Sequence, residues 1–303
     1  MSFITIVVVT YNSQDNISEC LDSVYSQKAE DFEVAVVDNG SKDFTLGIVR
    51  KNWPQTKILE NKRNGGLSQA LNRAIKNTSS KYILILNDDA VLDANFLKKF
   101  RDIERIIPSY VGGISPLILK EDKSYVYSRG IYLSKLRRFY NLGENSLHNR
   151  AEDKISYVFG CCLACAVFRR EMLESLKLND EYFDEDFFLI LEDFDISWRA
   201  RKRGWKFLHM PDLVCFHKGG FSKRKTSFLQ YLTFRNRYYL LVKNEDNFFW
   251  LFCAFLCYDI PRFMYFAFAN KYFLRALCDL KTNFRKMFVK RVLQKKNVSR
   301  NSE

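Results

Sequence analysis

Residues 82–90 read YILILNDDA, five apolar side chains followed by an amide and two carboxylates, Asn87, Asp88 and Asp89. Adjacent negative charges at the end of an apolar run suit a divalent cation. Magnesium takes one or two carboxylates, keeps some of its waters and fills the rest of its octahedron with phosphate oxygens. A cation held there would stabilise a departing diphosphate. A second acidic cluster lies in LEDFDISWRARKRGW, residues 191–205. On a helix its Glu192 and Asp195 share a face, three positions apart. Carboxylates at such a place either complement the helix dipole or take a proton from a hydroxyl as a general base. His217 closes the apolar run VCFH, where an imidazole serves either the core or a metal. Asn64, Gly65 and Gly66, in NKRNGGLSQALN, precede a helical pattern. Their backbone either approaches a phosphate, with Arg63 adding charge, or simply turns the chain.

These residues need elements to position them. Phe3–Val9, Phe32–Val37, Lys57–Leu59 and Tyr82–Leu86 read as strands, the longer ones apolar throughout. Between them Asn16–Gln27 and Gly66–Lys76 carry apolar residues at helical spacing, as do Phe96, Phe100 and Ile103 after the last strand. Alternation of this kind predicts a parallel sheet covered on both faces. Ligands of such sheets bind beyond the carboxyl ends of the strands. Thr10, Tyr11 and Asn12 end one strand, Asp38 another, and Asn87, Asp88 and Asp89 a third. Asp and Asn also end strands merely by turning the chain. That explains any one of these positions better than it explains all three. No G-x-G-x-x-G follows the first strand and no G-x-x-x-x-G-K-[ST] occurs, so neither a dinucleotide fingerprint nor a P-loop is present.

The chain has 303 residues, 47% of them hydrophobic, and a formal net charge of +13. It is long enough for a large domain plus an accessory piece. The surplus of positive charge calls for an anionic partner: nucleic acid, acidic lipid or a phosphorylated substrate. No RNP, KH or zinc-finger pattern accompanies it, and much of it lies near the C-terminus, so nucleic acid is not expected. The opening MSFITIVVVTYN lacks a basic leader and a cleavage site, and a cytoplasmic location with reduced cysteines is expected. Cys161, Cys162 and Cys165 lie in the apolar VFGCCLACAVF and read as buried core thiols.

After a further helical segment, Thr226–Val242, the composition changes. Phe248–Tyr258 is apolar over about eleven residues, against roughly twenty for a bilayer-spanning helix, and Asp259, Pro261 and Arg262 break it. Phe273, Leu277, Leu280, Phe284 and Phe288 then repeat at helical spacing, with about ten Lys and Arg interleaved between Lys271 and Arg300. Such a helix lies in the headgroup plane of an anionic leaflet, or packs on the main domain with a solvated basic face. The expected division is residues 1–243 as the main domain and 244–303 as a basic, aromatic-rich, membrane-peripheral helical extension on the inner face of the cell membrane.

Taken in order, VVVTYN, VVDNGS, NKRNGGLSQALNRAI, YILILNDDA, YFDEDFFLILEDFDISWRARKRGW and PDLVCFH resemble the family 2 inverting glycosyltransferases of GT-A fold. The similarity is greatest to their rhamnosyltransferase-like branch, and YLTFRNRYYLLVK resembles that branch's continuation. The resemblance implies a nucleotide-binding mixed sheet flanked by helices. It also implies a sugar moved from dTDP-rhamnose or a UDP-sugar to a lipid-linked glycan acceptor. Thr10, Tyr11 and Asn12 would line the nucleotide pocket, with Asn64, Gly65 and Gly66 beside it, and Asp38 would accept a hydrogen bond from the pyrimidine. NDDA stands at the D-x-D position with Asn87 in place of its first Asp. Asp88 would touch ribose or metal, and Asp89 with His217 would bind Mg²⁺ or Mn²⁺. Asp193 would be the base, ionised at neutral pH if its pKa stays near the ordinary value of about 3.9. A catalytically inactive nucleotide-sugar-binding protein on the same fold, or less readily a basic nucleic-acid-binding protein, is the alternative.

Overall fold

The β-branched run ITIVVVT forms the central strand β1 (Ile4–Thr10), buried along almost its whole length. The computed structural model describes residues 2–151, 153–219 and 226–300. Helix α1 (Ile17–Tyr25) buries Ile17, Cys20, Leu21 and Val24 on one face and carries the chain to β2 (Phe32–Asp38). Helix α2 (Thr45–Asn52) leads to β3 (Lys57–Glu60), and α3 (Leu67–Lys76) to β4 (Tyr82–Asn87). β1 pairs in parallel with β2 and β4, and β2 with β3. The register sets Thr10 opposite Asp38 and Val9 opposite Asn87. Three strands therefore deliver their polar ends to one edge.

Beyond β4 the alternation stops. β5 (Ala90–Leu92) and α4 (Phe96–Glu104) precede the long β6 (Val111–Lys120) and the short β7 (Val126–Ser128). A hairpin follows, β8 (Ile131–Leu133) with β9 (Phe139–Asn141), then β10 (Ser156–Val158) and β11 (Cys165–Arg169). Helix α5 (Arg170–Leu176), a 3₁₀ turn at Glu185–Phe187, α6 (Glu192–Lys202) and β12 (Lys206–His217) complete this part. The main sheet runs β10-β12-β6-β11-β4-β1-β2-β3, with β5 on β12 and β7 on β6. β11 is antiparallel to both β4 and β6. β6 and β12 are parallel to each other, while β10, β5 and β7 pair antiparallel, so the sheet is mixed and the all-parallel expectation fails at β11 and at these short strands. The connection from β6 to β11 runs through hairpins instead of a crossover helix, so nothing obliges β11 to be parallel. Cys161, Cys162 and Cys165 are buried free thiols in the core.

Three helical layers finish the chain. α7 (Ser227–Asn244) is followed by α8 (Phe248–Ala254), a π turn at Phe255–Asp259, α9 (Ile260–Ala269) and α10 (Phe273–Arg300). Residues 248–269 thus follow one helical path, and the break expected at Asp259–Pro261 does not occur. The wide π turn absorbs the proline, and the Asp259 carboxylate is met by the guanidinium of the buried Arg237. This helix, with mean hydropathy 1.4, is long and apolar enough to cross a membrane by length and composition. It runs back along α7, with Phe266 stacked on Phe234 at 4.4 Å and Asn270 bonded to the Ser227 carbonyl. α10 then runs in the same direction as α7, with Tyr239 bonded to the Asp279 carbonyl and Arg291 to that of Val242.

The extension is not a loose appendage. Lys290, 7% exposed, bonds Asp184 and Asp186, while Lys243 bonds Asp184 and Asp195. The extension leaves many aromatics exposed, Phe248, Phe249, Phe252, Phe255 and Phe268 before α10 and Phe284 and Phe288 on it, the last two interleaved with exposed Lys281, Arg285 and Lys286.

Candidate active site

Loops after β1 and β2 are laced together. Asn12, at φ 53°, accepts the Lys42 N–H and donates its own N–H to Ser41 Oγ, and the Ser13 N–H donates to Thr45 Oγ1. Asp38 is 1% exposed. Its Oδ2 accepts the N–H groups of Gly40 and Ser41, each at 3.0 Å, while Oδ1 is buried with no hydrogen-bond partner among the described residues. An orphaned buried carboxylate oxygen is costly unless a ligand donor reaches it. Thr10 is buried beside it, and Tyr11, next along the chain, is exposed.

Asn64 Oδ1 accepts the Gly66 N–H at 2.9 Å, and the Gly66 carbonyl accepts from Asn39 Nδ2. Gly66 has φ 87°, and a Cβ there would lie 2.3 Å from the Phe188 carbonyl oxygen. Only glycine fits such a position. Leu67 N–H donates to that same oxygen at 2.6 Å. The glycine loop therefore rests on the segment that leads into α6.

At the end of β4 the residues divide. Asp88 faces the hydroxyls of Ser13 and Thr10 and the Tyr11 backbone N–H, but burial, with the nearby Asp89 charge adding to it, pushes its carboxyl up to about 6. Asp89 points the other way: its Oδ1 lies 2.9 Å from His217 Nε2, and Asn87 Nδ2 lies 3.2 Å from the same nitrogen. The β5–β12 ladder makes this meeting, setting Ala90 opposite His217. The His217 ring also stands edge-to-face on Tyr127, 4.5 Å between centroids. One carboxylate and one imidazole leave most of an octahedral shell to phosphate oxygens and water, a donor set suited to Mg²⁺ or Mn²⁺ beside a diphosphate. Among the described residues there is no group of three or more His, Cys, Asp or Glu placed to hold an ion without such a ligand.

The second acidic cluster splits in the fold. Asp195 is 1% exposed and bonded by Arg199, Lys243 and Asn244, each at 2.9 Å. Although burial opposes it, the Lys243 and Arg199 charges hold its carboxyl below the ordinary range. It is a structural anchor. Asp193 has no ion pair among the described residues, and its Oδ1 accepts the Phe194 N–H. Burial raises both Asp193 and its neighbour Glu192 above the usual carboxylate range, and the Asp193 charge adds to the rise at Glu192. Asp193 is thus displaced upward from the ordinary value expected of it.

Sequence reasoning passed over Ser13, Asn39 and Tyr127, which support Asp88, Gly66 and His217. Lys243 and Asn236 were missed as well. Buried polar residues in the otherwise apolar, aromatic YLTFRNRYYLLVK were the available signal, since such groups need partners.

The chain matches Glycosyl transferase family 2 over residues 5–177. It is 26% identical over 227 residues to a dolichyl N-acetyl-alpha-D-glucosaminyl phosphate 3-beta-D-2,3-diacetamido-2,3-dideoxy-beta-D-glucuronosyltransferase of Methanococcus voltae, covering 71% of this chain and 66% of that protein. It is 23% identical over 219 residues to the poly-beta-1,6-N-acetyl-D-glucosamine synthase of Staphylococcus aureus, covering 70% of this chain and 49% of that one. The chain thus spans 66% of the first of these relatives and 49% of the second. Its fold is shared with a mannosyltransferase from Pyrobaculum calidifontis solved with GDP-Man and Mn²⁺, at a TM-score of 0.58 and 19% identity over 99% of this chain and 86% of that one. It is also shared with residues 1–349 of S. aureus TarS solved with UDP, at 0.57 and 17% over 100% and 92%. With a mixed sheet of GT-A type and a family match across more than half its length, the chain belongs to glycosyl transferase family 2.

Proposed function

We propose that the protein is a metal-dependent inverting glycosyltransferase, moving a sugar from a UDP- or dTDP-linked donor, dTDP-rhamnose among them, to a lipid-linked glycan acceptor at the inner face of the cell membrane. The observation that carries this reading is the isolation of Asp193. It is a carboxylate at the head of α6 with no cationic partner among the described residues, while Asp195 two positions on is fully paired. A carboxylate left unpaired in a partly dry site is suited to accept a proton.

Asp38 Oδ1 would accept the ring N–H of the pyrimidine, and the Gly65–Gly66 backbone would lie along the diphosphate. Asp89 and His217 would hold a divalent cation, which supplies charge neutralisation for the departing diphosphate. Asp193 would take the proton from the acceptor hydroxyl as it attacks the anomeric carbon from the opposite side. A single base then suffices, because the diphosphate leaves without needing a proton. The raised Asp193 carboxyl makes a stronger base once ionised, and the pH at which it ionises sets the acid limb of turnover.

The Phe248–Ala269 helix would lie along the membrane instead of crossing it. Its inner face is tied to α7 by Arg237–Asp259 and Phe234–Phe266, leaving the outer aromatics for lipid. The test is nucleoside diphosphate release and thermal stabilisation across a panel of UDP-, dTDP- and GDP-sugars with Mg²⁺ or Mn²⁺. Absence of stabilisation by every donor in either metal would refute the reading.

A further inference from the structure

We infer that Asn236 is a positioning residue: its side-chain amide grips the turn Phe188–Leu191, which joins the glycine loop to Asp193. The inference rests on the reading of Asp193 as the base.

The turn is an unusual piece of backbone. Phe188, Ile190 and Leu191 all have positive φ, at 63°, 74° and 71°. For a β-branched residue such as Ile190 this is a genuine outlier, and none of the three is a glycine. Strained backbone persists only where its surroundings over-determine it, and it gathers at functional sites. Here the surroundings are specific. Asn236, fully buried, directs Nδ2 at the carbonyls of Phe187, Leu189 and Ile190, at 2.9, 2.8 and 2.7 Å. Arg235 Nε donates to Asn236 Oδ1 at 2.9 Å, which fixes the amide so that its donor end faces the turn. Arg235 Nη2 adds bonds to the carbonyls of Asp186 and Phe187.

The two ends of the turn meet the two halves of the proposed site. At one end the Phe188 carbonyl receives the Leu67 N–H and lies against Gly66. At the other, Leu191 caps α6, its carbonyl accepting the Asp195 N–H at 3.0 Å, and Glu192 and Asp193 follow directly. Asn236 touches neither the donor pocket nor Asp193. It acts through the peptide groups between them, and a single amide therefore sets where the carboxylate stands relative to the loop beside the diphosphate.

Asn236→Asp tests this, because it keeps the shape and replaces the donor nitrogen Nδ2 with an oxygen that repels the three carbonyls when ionised. In the full-length protein, deuterium uptake by the peptide spanning residues 185–195 is expected to quicken at least tenfold. Binding of UDP with Mn²⁺ is expected to stay within about threefold of wild type. With whichever nucleotide sugar supports wild-type turnover, kcat should fall at least tenfold with little change in donor KM. The acid limb of kcat should also move to lower pH, because water then reaches Asp193, whose charged and titratable neighbours are Glu192, Cys161 and Cys162. Should Asn236→Asp not fold, Asn236→Ser, which keeps one donor, should show the same changes at smaller size. A lowered Tm with unchanged uptake in 185–195 and an unmoved acid limb would overturn the proposal. Wild-type turnover in Asp193→Asn would instead sink the base assignment, while leaving the uptake result to report on the turn.

Discussion

Asp89 Oδ1 and His217 Nε2 lie 2.9 Å apart because β5 runs antiparallel to the end of β12. A carboxylate oxygen and an imidazole nitrogen at that distance can both reach a single divalent cation. Asp89→Ala and His217→Ala are each expected to remove the Mn²⁺-dependent part of the thermal stabilisation given by UDP. The loss should be at least tenfold in affinity, or about 1.4 kcal/mol. Melting curves across UDP and Mn²⁺ concentrations measure it, and a full shift retained by His217→Ala would take the imidazole out of the ligand set.

Asp193 and Asp195 should separate cleanly when each is changed to Asn. Asp193→Asn is expected to cost about 10²–10⁴ in kcat with UDP binding little changed and no fall in Tm, since burial opposes the charged carboxylate. Asp195→Asn leaves the buried cations of Lys243 and Arg199 short of an anion. Breaking a buried pair in this way costs about 3–5 kcal/mol, visible as a fall in Tm and in the denaturant midpoint.

The raised carboxyls at Glu192 and Asp193 have an unambiguous sign. A carboxyl held above its unfolded value favours the folded state fully below that unfolded value, and loses this contribution as pH rises through the folded one. Glu192→Gln removes one such group. It should therefore raise Tm relative to wild type at pH 8 and leave it nearly unchanged at pH 4. Turnover should show its acid limb above the ordinary carboxylate range, and a limb near pH 4 would contradict burial as the dominant influence on Asp193.

Membrane contact predicts its own signature. Phe248, Phe249 and Phe252 are exposed on the outer side of the apolar helix. The triple change to Ser should reduce sedimentation with vesicles containing anionic phospholipid by more than tenfold, while UDP release from soluble substrates persists. Equal vesicle binding by the variant would show that this face does not meet lipid.

Much of the cluster of polar strand ends was legible because it depends on local rules. Thr10, Asp38 and Asn87 follow apolar strands, and parallel strands of similar length place their carboxyl ends together. Gly66 was legible as a turn before a helix, though not as the residue whose missing Cβ admits the Phe188 carbonyl. In the acidic cluster, helical periodicity marked Glu192 and Asp195 and could not rank them. Burial and a lysine 48 positions away decided that Asp195 is an anchor. The continuity of the Phe248–Ala269 helix was hidden for a similar reason, since the charge of Asp259 is answered by Arg237 from another helix.

By itself, then, the order of residues determined the strand–helix alternation and the edge at which the polar strand ends gather, because side-chain periodicity and β-branching act over a few neighbouring positions. Tertiary structure decided that Asp89 meets His217, that Asp195 is paired while Asp193 has no ion pair among the described residues, and that Asn236 hydrogen-bonds the turn between the glycine loop and Asp193. Those outcomes depend on ladder register and helix packing between segments far apart in the chain, where burial and partner charges set which carboxylate stays free.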